Sequence, residues 1–80
     1  MKAKKYLKRT KNGDMFFVAI CEEKNICVCN FENSKGIYIE YLSESVYKTL
    51  RYVKCSKAEY LKNYNEVLDF FGFQEKSNNN

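Results

Sequence analysis

The sequence predicts an α+β domain: an antiparallel β-meander of four to five strands packed against a C-terminal α-helix, with room for a second short helix. Three observations carry that expectation. An apolar run fills residues 15–21, an Asn12-Gly13 pair precedes it, and a helical apolar period opens at Ser56 and stops at Gly72.

Residues 6–10 read as a first strand, and Asn12-Gly13, both tolerant of positive φ, is the strongest short hairpin signal in the chain. The strand that pairs back covers residues 15–22. Its Met-Phe-Phe-Val-Ala-Ile-Cys run has no polar face, although successive side chains of a strand point to opposite sides. Such a strand must be covered on both sides. After the polar break Glu23-Lys24-Asn25, residues 26–31 form a third strand with Ile26 and Val28 on one face and Cys27, Cys29 and Phe31 on the other. Residues 32–36 supply a turn, and the alternation in residues 37–41 sets Ile37, Ile39 and Tyr41 inward as a half-buried fourth strand.

Residues 43–55 are ambiguous. Val46, Leu50 and Val53 fall at helical spacing, with a slight preference for helix, while residues 49–53 also suit a fifth strand. The last element is clear, because Ser56 followed by Glu59 makes a capping box in which each side chain satisfies an orphaned N–H. Tyr60, Leu61, Tyr64, Val67, Leu68 and Phe71 then share one face, with Lys57, Lys62, Asn63, Glu66 and Asp69 opposite. Gly72 ends the helix and Phe73 is placed to fold back on its last turn. One domain over residues 1–73 and a disordered tail over residues 74–80 follow from this reading.

The clear helix covers one sheet face. For the other, burial against a second copy or a partner is the leading expectation, with internal covering by residues 43–55 as the alternative. A chain of 80 residues buries about 60–65% of its unfolded surface, so self-association is a natural source of added stability. The expected partner surface is Phe16, Phe17 and Val18 with Tyr38 and Tyr41.

The net charge of +4 is uneven, since Lys2, Lys4, Lys5, Lys8, Arg9 and Lys11 all precede the first acid, Asp14. Lysines can simply keep an edge strand from pairing with another chain. The same segment, Lys4, Lys5, Tyr6, Lys8, Arg9 and Lys11, mixes cations with an aromatic as strand-based single-strand binders do, although no RNP-like aromatic-glycine pattern accompanies it. The basic start and the apolar run imitate a secretory signal, but Asn12-Gly13-Asp14 breaks the join and no small-x-small cleavage site follows. With no stretch near the ~20 apolar residues of a membrane span, a soluble, cytoplasmic protein is expected.

Histidine, tryptophan and proline are absent, which removes the commonest general base and the commonest zinc nitrogen ligand. No base stands by motif beside Cys21, Cys27, Cys29 or Cys55, and no glycine-rich phosphate loop occurs, so neither a catalytic residue nor a cofactor is assigned. The four cysteines match zinc in number but not in spacing, and the leading reading is buried free thiols. A Cys21–Cys27 disulfide across a short connection and a metal site are the alternatives.

The function expected is therefore non-enzymatic: a small self-associating interaction module, an inhibitor or adaptor of a larger protein, with nucleic-acid binding through the basic hairpin as the second reading. No family is recognised. The Lys-, Asn- and Tyr-rich composition resembles that of small proteins from phages and mobile elements, which implies a host defence or regulatory protein as the target.

Overall fold

The computed structural model describes residues 2–72, so Phe73 and the expected tail over residues 74–80 lie outside the described residues. Strands β1 (Lys5–Lys11), β2 (Asp14–Ile20), β3 (Asn25–Asn30) and β4 (Lys35–Glu40) precede helix α1 (Glu44–Thr49), strand β5 (Val53–Lys54) and helix α2 (Lys57–Phe71). The strands form one antiparallel sheet in the order β4-β3-β2-β1-β5. This is the expected α+β meander with its C-terminal helix. Asn12 and Gly13 take φ of 54° and 87° between the facing residues Lys11 and Asp14, the primed two-residue turn whose twist suits a hairpin.

The ambiguous segment is both helix and strand. From β4 at one edge, the chain crosses the sheet as α1 and then pairs Val53 and Lys54 with Lys8 and Leu7 at the far edge. It turns over that edge into α2, so the two helices cover opposite faces.

On the first face, α2 packs Tyr60 and Val67 against Phe17, Ala19 and Val28, with Tyr6, Met15, Ile26 and Ile37 around them. Tyr60 is fully buried and donates its hydroxyl to the Ile26 carbonyl at 2.9 Å, so its one polar atom has a partner. On the second face, Tyr47 of α1 closes over Leu7, Val18, Ile20 and Cys27, with Tyr52 edge-on to its ring at 5.3 Å. The expectation that β2 needs a partner for its second cover is thereby corrected: Phe17 is 1% exposed and Val18 0% within the single chain. Tyr47, not the Val46, Leu50 and Val53 stripe, makes the seal, and Leu50 and Val53 are exposed.

Four smaller expectations change. Ile39 is 50% and Tyr41 76% exposed, because β4 is an edge strand that α2 covers incompletely. Asn63 is buried rather than outward, accepting from Asn30 Nδ2 at 2.8 Å and donating to the Glu59 carbonyl at 2.9 Å. Phe71 is half exposed, since the 15-residue helix outruns the sheet. Only half of the capping box forms: Ser56 Oγ accepts from Glu59 N at 3.0 Å, but the Glu59 carboxylate takes Lys8 Nζ at 2.8 Å instead. Ser56→Ala should therefore cost about 1 kcal/mol in a urea titration, the usual value of a lost N-cap. Gly72 ends α2 at φ 75°, as the period requires.

Candidate binding face

The register lays the second sheet face out in rows across the strands. Lys5, Ile20, Asn25 and Glu40 form one row, and Leu7, Val18, Cys27 and Tyr38 the next, both beneath or beside α1. Beyond them runs a third row of Arg9, Phe16, Cys29 and Gly36, none of which belongs to the core that Tyr47 closes. Its three side chains are half-buried. Phe31, just past β3, stands edge-on to Phe16 with ring centroids 5.0 Å apart, and the Arg9 guanidinium lies 5.9 Å from the Phe16 centroid.

The covered rows hold a polar cluster. Tyr47 donates its hydroxyl to Glu40, Asn25 Nδ2 donates to the Leu42 carbonyl at 2.8 Å and the Tyr47 hydroxyl at 3.2 Å, and Cys27 Sγ lies 3.2 Å from Glu40 Oε1. Burial, reinforced by the bonded Glu40, pushes the Cys27 thiol up to about 12. Burial also raises Cys29 and Cys55. These thiols keep their protons at neutral pH, the opposite of what a nucleophile needs.

All four cysteines are free. The Cys21–Cys27 bridge is excluded by register, because Val18 faces Cys27 and a four-residue connection follows Ile20, placing Cys21 beyond the ladder and on the other face by alternation. Among the described residues no group of three or more potential ligands could hold a metal. No helix among them is long and apolar enough to cross a membrane.

The expected partner residues separate. Phe17 and Val18 lie inside the fold and are out of reach of any partner, while Phe16 lies on the uncovered row and Tyr38 and Tyr41 are exposed on and just after the β4 edge. The expected basic segment also splits, since alternate residues of β1 take opposite faces. Tyr6 points under α2 and packs on Tyr60 at 5.1 Å, so it is lost as a stacking platform. Lys8 shares that face, and its hydrogen bond to Glu59 raises its pKa. Lys5 pairs with Glu44 at the start of α1, which lowers the Glu44 carboxyl. Lys4 is exposed before β1. Arg9 and Lys11 remain on the second face with no carboxylate within ion-pair distance among the described residues.

Sequence reading missed the cations that join them. Arg51 enters from the turn after α1 and, with Lys8, Arg9, Thr10, Lys11 and Val53, lines a concavity at the β1 edge. Lys48 and Lys54 line a second hollow beside Lys5. Only the crossover from β4 to β5 brings these residues to the basic strand, and no local signal announces it. Comparison with known proteins finds no family model, no curated protein and no solved structure that significantly matches this chain.

Proposed function

We propose that the protein is a non-enzymatic interaction module, an adaptor or inhibitor that associates through its β4 edge, with a second copy of itself and through that edge or beside it with a larger protein. The observation that carries this reading is the contrast between the two edges of the sheet. At the β1 edge, two devices that prevent strand pairing are in place: a basic strand and a short β5 of two residues. The β4 edge has none of them across its centre. Six residues long, it exposes Tyr38 and Ile39 and is followed by exposed Tyr41 and Leu42.

An unprotected apolar edge of this kind is a template for another strand. Centred on Tyr38, an antiparallel pair of β4 strands sets Ile37 opposite the partner's Ile39 on the α2 side, an aliphatic cross-strand pair. The high thiol pKa values support the non-enzymatic part of the reading. Composition supports its narrower form, in which the larger partner is a host defence or regulatory protein.

Sedimentation velocity over a concentration series tests the edge. The expected result is a concentration-dependent dimer that Ile39→Lys weakens at least tenfold while the circular dichroism spectrum is kept. A wild-type protein that stays monomeric to ~100 μM would overturn the reading.

A further inference from the structure

We infer that the uncovered row across the second sheet face is a binding site for single-stranded nucleic acid, with successive phosphates held by Arg9, Lys11 and Arg51 and a base stacked on Phe16. Charge complementarity is the first support. Three cations converge on one concavity, Lys5 and Lys8 being already engaged by Glu44 and Glu59, and the acid nearest in register, Asp14 opposite Lys11, forms no ion pair with it.

Edge protection alone would account for Arg9 and Lys11. It does not account for Arg51. This residue sits at φ 69° immediately after α1, held by its N–H to the Lys48 carbonyl at 3.0 Å. Glycine or asparagine takes that conformation more cheaply, so a long cation there points to a use for the side chain.

Gly36 is the second anomaly. It occupies a strand, where glycine is unfavourable, yet its φ is not positive and a Cβ built on it meets nothing within 4 Å. Nothing in the chain itself requires a glycine. A missing side chain at the end of the row keeps the floor from Phe16 through Cys29 to Gly36 low, as a close-approaching ligand needs. The row spans three strand spacings, ~14 Å, and four-stranded sheets of this width stack two or three bases on their aromatics.

The chemistry favours a single strand over a duplex. A sheet face offers no helix or ribbon to enter a groove, whereas the half-buried Phe16 ring leaves part of its surface to an unstacked base. The Arg9 guanidinium stands near the outer limit of a cation–π contact with Phe16, so a base can replace it over the ring while the guanidinium turns to the phosphate.

Fluorescence anisotropy with labelled 12-nucleotide oligo(dT) and oligo(U), at salt from 50 to 300 mM, tests the site. Binding should weaken with a log–log slope of about −2, three phosphates at ~0.7 each. Phe16→Leu should cost at least fivefold and leave that slope unchanged. Arg51→Gly should lower affinity about fivefold and flatten the slope by ~0.7 while the melting temperature holds or rises, because the strained backbone is relieved. Lys62→Glu, on the outer face of α2, should change affinity less than twofold. Absence of binding at 50 mM salt would overturn the inference, as would correctly folded Arg51→Gly and Phe16→Leu proteins with wild-type affinity. Equal binding of a duplex with Phe16→Leu neutral, or equal displacement by polyglutamate, would overturn the single-strand assignment.

Discussion

Tyr47→Ala is expected to destabilise the protein by about 3–5 kcal/mol, the usual loss for removing a large buried aromatic. For 80 residues the total stability is roughly 4–12 kcal/mol, so the loss removes a large share of it. The effect is large because one ring closes the second face. Without it Leu7, Val18, Ile20 and Cys27 meet water, and Glu40 and Asn25 lose the hydroxyl they share. Tyr47→Phe separates the two contributions: it keeps the cover and loses the hydrogen bonds, and should cost about 1–3 kcal/mol. Urea titration followed by far-ultraviolet circular dichroism measures both. Reaction of Cys27 with a thiol reagent should be slow in the native protein and in Tyr47→Phe, and fast in Tyr47→Ala. A cost below ~1 kcal/mol for Tyr47→Ala would mean that α1 is not the cover.

The second large effect is an alkaline transition. In the unfolded chain thiols lose their protons near 9.0 and phenols near 10.0, whereas in the fold burial holds Cys27 and Tyr52 up to about 12. Burial raises Tyr47 and Tyr60 as well, and Glu40, accepting from the Tyr47 hydroxyl, adds to the Tyr47 shift. Between these limits the unfolded state binds fewer protons than the native state, so stability falls as pH rises. The contribution is complete below pH 9, begins to fail as the Cys27 thiol would ionise, and declines more steeply above pH 10 as the phenols join. The expected result is cooperative unfolding between about pH 10 and 12, with loss of ellipticity coinciding with the part of the tyrosinate absorbance that the buried rings contribute. Cys27→Ala should delay the onset without removing the transition. Titration of Tyr47, Tyr52 and Tyr60 near pH 10 with ellipticity intact would contradict the packing described for both faces.

Local features were legible. The Asn12-Gly13 turn, the alternation of β3 and the Ser56 to Gly72 limits of α2 depend on neighbouring residues, and the structure has each of them. Residues 43–55 resisted because a six-residue helix and a two-residue strand share a stretch too short for either period to declare itself. What made α1 a cover was the pairing of Val53 with Lys8, a long-range contact with no trace in composition. That pairing hid Tyr47 as a core residue and Arg51 as a neighbour of Arg9. The buried Asn63 was misplaced for a different reason: a polar residue on a helix reads as outward unless its acceptor and donor, here Asn30 and the Glu59 carbonyl, are known.

Pairing between β1 and β5 has a consequence for the nascent protein. The fold's second strand partner for β1 is Val53–Lys54, and Val53 follows Lys8 by 45 residues. Until residues 44–71 are made, any ribbon of β1 to β4 would have a bare border at β1 and no helix over either side. The basic charge of β1 would then hold sister chains apart until the crossover arrives.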